Sequence, residues 1–164
     1  ITTIWTMKDD KYYQIILMLL YNGVRISEFL DLKKENVHLD EQYMIGGMKT
    51  EAGTDRVIPI ADKILPLVKN RYDANRRFLV NNKYGNHYTY GSYVSANFNT
   101  VMNKLNMKHL PHDGRHTFAS LMDDAGANEV CIKLIMGHSM KNNVTKGVYT
   151  HKTTQQLIDE VNKI

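Results

Sequence analysis

Apolar residues recur at helical spacing at the start of the chain, and this pattern predicts its first elements. Residues 8–22 are mostly apolar from position 15 onward and stop at Gly23, which predicts a buried helix ended by a glycine. Ile26 and Phe29 then share one helical face, with Arg25 immediately before them. The chain therefore begins with a core helix, and a second short helix follows with an arginine at its N-terminus.

A different periodicity follows, because apolar and polar side chains next alternate along the chain. This alternation predicts three short strands, at residues 35–40, 43–50 and 56–60. Residues 51–55, between the last two strands, have the composition of a hairpin turn, and Lys49 would lie beside it. Helical spacing returns in residues 61–72 and 92–106. We therefore expect a small antiparallel sheet inserted between helices.

Polar side chains that could take part in catalysis cluster on the next predicted helix, which starts near His112. Side chains three and four residues apart lie on one helical face, so His112, Arg115 and His116 would be presented together. Phe118 and Met122 recur on another side of the same helix. One face of this helix can therefore pack while another carries out chemistry.

A further helix is predicted between Asn128, a good N-terminal cap, and a stop at Gly137. His138 would emerge where that helix ends, as a fixed hydrogen-bond donor, and Tyr149 follows shortly afterwards. Residues 153–164 are mostly polar but carry a narrow apolar stripe, which must pack on this subunit or on another one.

The order of helices, small sheet and helices indicates an α+β fold that is mostly α, in a single domain over residues 1–164. The apolar fraction of 43% and charged fraction of 23% are typical of a globular protein. A net charge of +4 favours a polyanionic partner. The single cysteine, Cys131, excludes an intramolecular disulfide and fits a reducing compartment.

The inventory of the predicted site suits an anionic substrate attacked by a phenolic oxygen, because it offers cations, hydrogen-bond donors and a tyrosine. A competing interpretation takes His112 and His116 as an i, i+4 zinc pair. The glutamate of the His-Glu-x-x-His motif and an obvious third ligand are both missing from the sequence, so we rank this interpretation well behind and expect no metal.

Taken in order along the chain, these residues resemble those of the tyrosine recombinase (phage integrase) family. The resemblance covers essentially the whole chain and all six family positions: Arg25 in Gly-Val-Arg-Ile-Ser-Glu, Lys49 in Lys-Thr-Glu-Ala-Gly-Thr-Asp-Arg-Val-Ile-Pro-Ile, His112 and Arg115 in His-Asp-Gly-Arg, His138 in Gly-His-Ser, and Tyr149 in Tyr-Thr-His. A single one of these motifs is weak, but six in register are specific.

The resemblance implies a catalytic domain that cuts one DNA strand through a phosphotyrosine link, with no cofactor. Tyr149 is then the nucleophile, His112 the candidate base and Lys49 the donor of a proton to the departing 5′ oxygen. Arg25 and Arg115 would bind the phosphate, because planar guanidinium groups suit its two non-bridging oxygens, and His138 would donate a hydrogen bond to it. We expect Glu28 to orient basic neighbours.

The resemblance also implies partners. Double-stranded DNA is the expected substrate, and four protomers are expected to act on two duplexes and to exchange C-terminal helices. The helical core-binding domain that precedes the catalytic domain in the family is absent from these 164 residues. We expect a cytoplasmic protein encoded by a mobile element.

Two alternatives remain open at this point. A type IB topoisomerase uses similar chemistry without strand exchange. A non-enzymatic DNA-binding module is also conceivable, because Asp124-Ala-Gly-Ala between two helices resembles a helix-turn-helix. Such a module would not need Arg25, Lys49 and Tyr149 in register.

Overall fold

The computed structural model describes residues 1–47, 55–138 and 152–164. Its helices are α1 (Thr2–Trp5), α2 (Lys11–Asn22), α3 (Ile26–Leu30), α4 (Leu65–Arg71), α5 (Tyr90–Tyr93), α6 (Asn99–Lys104), α7 (Asp113–Asp124), α8 (Glu129–Met136) and α9 (Thr154–Val161). Its strands are β1 (Val37–His38), β2 (Tyr43–Gly46) and β3 (Arg56–Pro59). The predicted class, mostly α with a three-stranded antiparallel sheet, is confirmed.

Helix α2 forms the centre of the core. The Asp10 carboxylate caps its start by accepting the N–H of Tyr12 at 2.8 Å, and every residue from Tyr13 to Asn22 is buried. Gly23 ends the helix in the left-handed region at φ +64°, and a Cβ there would lie 2.4 Å from the ring of Phe118. Only glycine therefore allows α7 to approach the end of α2 so closely.

The sheet has the order β1-β2-β3, with both neighbouring pairs antiparallel. Met44 pairs with Ile58 and Gly46 with Arg56, so the two longer strands are in register up to the edge of the hairpin. The first strand is shorter than predicted, because residues 34–36 form a 3₁₀ turn before Val37. The predicted turn at residues 51–55 lies largely outside the described residues.

Some helix boundaries differ from the prediction. The first core helix begins at Lys11 rather than at residue 8, because Asp10 provides the cap, and α1 precedes it. Helix α4 begins at Leu65 rather than at residue 61, so that Pro66 falls in the first turn, where a missing N–H costs nothing. The helix predicted at residues 92–106 begins at Tyr90 and contains a π-helical segment, Val94–Phe98, between α5 and α6.

Helix α8 begins and ends at the predicted capping residues. The side chain of Asn128 accepts the N–H groups of Val130 and Cys131 at the start of α8, and Gly137 ends that helix at φ +67°. Helix α9 packs on β3 and α8 of its own chain and buries its apolar face there, at Leu157, Ile158 and Val161. Among the described residues, no helix is long and apolar enough to cross a membrane.

Candidate active site

Arg115 is the most enclosed cation of the predicted site. Although it was expected on the chemical face of α7, only 4% of its surface is exposed. One terminal nitrogen donates to the Gly23 carbonyl and the other to the Met136 carbonyl, each at 2.7 Å. The guanidinium thus joins the end of α2 to the end of α8, and its orientation is fixed by main-chain atoms.

Arg25 enters the same region from the start of α3. It occupies the N-cap position, is half-buried, and its backbone N–H donates to a carboxylate oxygen of Glu28 at 3.4 Å. Burial and, to a lesser extent, the positive charges of Arg25 and Arg56 together lower the pKa of Arg115 to about 10. The Arg115 guanidinium nevertheless stays charged at neutral pH, so the like charges of Arg115 and Arg25 are held together in a partly dehydrated place.

His112 and His138 complete this cluster at the protein surface. His112 stands at the start of α7 and His138 directly after the glycine that ends α8, and both are exposed. Partial burial lowers the pKa of each imidazole below its ordinary value of 6.5. The charges of Arg115 and Arg25 act on both histidines in the same direction. Four of the six predicted residues therefore lie within electrostatic reach of one another.

Behind this cluster lies a buried ion pair, of which the sequence prediction identified one partner. Glu28 and Arg56 are 4% and 8% exposed, and their charged groups approach to 2.5 and 2.8 Å. The Nε of Arg56 donates to the Ile135 carbonyl at 2.8 Å, and its side chain lies 3.1 Å from the Cβ position of Gly137. The pair connects β3, α3 and the end of α8.

Glu28 acts as expected, because its carboxylate holds both the Arg56 guanidinium and the backbone of Arg25. Arg56 was not predicted as part of the site. A signal existed in the strand pattern, since Arg56 has the same parity as Ile58 and Ile60 and so points toward the core. A charged residue on the inward face of a strand requires a partner.

We expect Glu28→Gln to lower the free energy of unfolding by about 3 kcal/mol, because the buried Arg56 loses the negative charge that offsets its dehydration. Glu35→Gln is a matched control, since Glu35 pairs with Lys33 at an exposed surface and should change stability by less than about 0.5 kcal/mol. Urea unfolding of both variants measures the difference. Equal midpoints would contradict the role given to the buried pair.

The other two predicted residues, Lys49 and Tyr149, lie outside the described residues. Gly46 and Arg56, which lie on either side of Lys49 in the sequence, pair between β2 and β3, and a Cβ at Gly46 would meet the Glu28 carboxylate.

In the described part of the chain, no third ligand joins His112 and His116 to support the zinc interpretation. The rings of His112 and His116 meet edge to face, with centroids 4.8 Å apart. Within residues 1–47, 55–138 and 152–164, no three histidine, cysteine or acidic side chains are grouped as metal ligands. Chemically, the described site is a cradle of two guanidinium groups and two imidazoles, which is suited to bind an oxyanion.

Comparison with known proteins gives consistent results. Residues 2–156 match the sequence model of the phage integrase family. The tyrosine recombinase XerA of Pyrococcus horikoshii is 32% identical, over 96% of this chain and 56% of its own length. The transposase of transposon Tn916 from Enterococcus faecalis is 30% identical, over 94% and 46%.

Structure comparison agrees with the sequence. The Tn1549 transposon integrase, solved in complex with circular intermediate DNA, superposes with a TM-score of 0.68 at 26% identity, covering 97% of this chain and 61% of that one. The present chain thus spans roughly half to three fifths of the length of these three proteins.

Proposed function

We propose, given that this chain belongs to the phage integrase family, that it cuts and rejoins DNA as a site-specific recombinase. The Tyr149 hydroxyl would attack a phosphodiester, form a 3′-phosphotyrosine bond and release a 5′ hydroxyl. The observation that carries this proposal is the convergence of Arg25 and Arg115 from distant parts of the chain, beside His112 and His138.

The arginines would bind the two non-bridging oxygens of the scissile phosphate. A guanidinium has five N–H donors, and the two main-chain bonds of Arg115 leave others available to an anion. Because its orientation is fixed in advance, no reorganisation is needed as negative charge develops on the phosphate. Repulsion between Arg115 and Arg25 would be relieved by the same anion, which favours phosphate binding.

The remaining roles follow from the chemistry of each group. His112 would accept the phenolic proton of Tyr149, and its lowered pKa keeps it neutral at pH 7, as a base must be. His138 would donate a hydrogen bond to a phosphate oxygen. Lys49 would protonate the departing 5′ oxygen, which makes that oxygen a better leaving group.

The family also leads us to propose partners for the complete protein. Double-stranded DNA would be bound by four protomers, which join two duplexes and exchange strands. The Tn1549 integrase was solved with DNA and the Tn916 relative is a transposase, which favours a mobile-element integrase working in the cytoplasm. The packing of α9 on its own chain corresponds to a protomer before any exchange of C-terminal helices.

The test is a suicide DNA substrate, nicked a few nucleotides to the 3′ side of the scissile phosphate so that the short fragment with the free 5′ hydroxyl diffuses away after cleavage. Incubation with this chain should give a covalent protein–DNA adduct on a denaturing gel, and peptide mapping should place the DNA on Tyr149. Failure to form any adduct would overturn the proposal. Supercoiled plasmids carrying the target site separate recombination from topoisomerase activity, because only recombination yields joined products.

We expect cleavage at subsaturating DNA to fall as pH drops, with a midpoint below pH 6.5. His112 must be neutral to accept a proton, and its pKa is lowered by burial and by nearby positive charges. Single-turnover rates between pH 5 and 8 measure this limb, since subsaturating DNA reports the free enzyme. A midpoint above pH 6.5 would contradict the role of His112.

The lowered pKa values of His112 and His138 also determine whether stability rises or falls with pH. Their pKa values are lower in the folded chain than in the unfolded one, so the unfolded state takes up protons first. The contribution of the two neutral histidines to the free energy of unfolding is therefore fully present above about pH 6.5. It is lost as the pH falls through their pKa values in the folded chain.

A further inference from the structure

A second cavity, of about 560 Å³, lies at the far end of α2 from the arginines. Lys11, the first residue of α2, lines this cavity, whereas the Gly23 carbonyl at the other end binds Arg115. A twelve-residue helix separates the two places by about 18 Å. The cavity is within the size range of small-molecule sites, roughly 300–1,000 Å³, and is distinct from the candidate active site.

The walls of this cavity are predominantly positive. Four cations line it, and one carboxylate opposes them. The cations are Lys11, Arg71, Arg76 and Lys83, and the carboxylate is Asp73. Asp73 approaches Arg76 at 3.5 Å, which leaves the charges of the other three cations uncompensated within the cavity. Such a wall favours an anionic ligand.

Asn97 provides a second and independent observation. It lines the cavity, is 0% exposed, and neither its amide oxygen nor its amide nitrogen has a hydrogen-bond partner among the described residues. The Tyr88 hydroxyl interacts with the Asn97 side chain, and this interaction lowers the pKa of Tyr88 against the larger, opposite effect of its burial. The Nε of Arg71 is likewise buried without a partner. Buried polar atoms are rarely left unsatisfied, so these groups indicate a ligand.

The backbone that carries Asn97 is itself unusual. Asn97 belongs to the π-helical segment Val94–Phe98, which interrupts an otherwise α-helical run. π-Helical turns are rare and occur frequently at functional sites. Both the rare backbone and the unsatisfied amide therefore occur at the same wall of the cavity.

Aromatic side chains complete the lining. Tyr12, Tyr72 and Tyr88 all border the cavity, and the Tyr88 ring is held edge to face against Tyr93 with centroids 5.8 Å apart. Tyrosine rings bind nucleobases by stacking. An asparagine amide presents a donor beside an acceptor, which matches the N6 and N7 edge of adenine.

We infer that this cavity binds a nucleoside phosphate, with the base edge on the Asn97 amide and the phosphate on Arg71 and Lys83. The base would stack on the cavity tyrosines. Two sources supply this chemistry: a free nucleotide, or one nucleotide of a single DNA strand. The site is separate from strand cleavage, so it stands independently of the proposed function.

Isothermal titration of this chain with AMP, adenosine and inorganic phosphate tests the inference. AMP should bind, and Asn97→Leu should weaken it about tenfold or more through loss of the base-edge bonds. Lys83→Met, at an exposed position, should weaken AMP binding but leave adenosine binding unchanged. Lys108→Met is the matched control for Lys83→Met, because both lysines are exposed and Lys108 does not line the cavity. Asn97 is buried, so Asn97→Leu is titrated at a temperature where circular dichroism shows that the variant is folded.

Competition between AMP and a 5′-phosphorylated oligo(dA) identifies the source. Displacement of AMP by the oligonucleotide, with the same dependence on Asn97, assigns the ligand to a DNA strand. AMP binding without such displacement assigns it to a free nucleotide. The inference is overturned if AMP does not bind, if its affinity is unchanged by both Asn97→Leu and Lys83→Met, or if inorganic phosphate binds as tightly as AMP.

Discussion

Tyr149→Phe should form no covalent adduct with a suicide DNA substrate, because the substitution removes the attacking oxygen and leaves the ring in place. A free tyrosine has a pKa of about 10, so about one phenol in a thousand is ionised at pH 7. Reaction at neutral pH therefore requires a base or a positive field. Arg25 and Arg115, which both lower the pKa values of His112 and His138, provide that field.

The control for this experiment is Tyr90→Phe, at a tyrosine that is 49% exposed and should be dispensable for cleavage. Fluorescence anisotropy should show the same DNA affinity for both variants and the unsubstituted chain, since a phenol contributes little to phosphate binding. An adduct that persists in Tyr149→Phe would show that another side chain is the nucleophile.

Arg115→Met should reduce the rate of adduct formation on the order of 10²–10³-fold, as expected when a preorganised donor to a reacting phosphate is removed. It should also lower stability, because the carbonyls of Gly23 and Met136 lose a buried donor. Arg115→Lys should lose most of the activity too, since one ammonium cannot reproduce a planar fork that contacts two carbonyls and a phosphate.

Rates and stabilities must be measured together for this prediction. Single-turnover cleavage should be followed at a temperature where each variant is fully folded, as judged by circular dichroism. Arg77→Met is the matched control, because Arg77 is exposed and lies over the Phe78 ring. A folded Arg115→Met variant that cleaves within about threefold of the native rate would exclude the proposed role, given the loss expected for such a donor.

Local rules were sufficient where one residue determines the backbone. Gly23 and Gly137 were predicted to end helices, and both adopt positive φ. Asn128 was predicted as a cap and accepts two N–H groups. The π-helical segment at Val94–Phe98 was not predicted, because its apolar residues keep ordinary helical spacing and its register depends on tertiary packing.

The sequence predicted which side chains form the site, but not which groups surround them. Helical spacing brought His112 and Arg115 together, but it could not show that the ends of α2 and α8 enclose the guanidinium of Arg115. The Glu28–Arg56 pair joins residues 28 positions apart, and a charged pair across that separation follows only from the three-dimensional fold. Family resemblance remains the basis for Lys49 and Tyr149.

The two carbonyls that hold Arg115 belong to the C-terminal ends of helices, where peptide dipoles concentrate negative partial charge. The framework therefore solvates this cation in place of water before any substrate arrives. A designer who grafts the six side chains onto another scaffold would reproduce the reagents without this electrostatic support. Copying the activity would require transplanting both helix ends with the arginine between them.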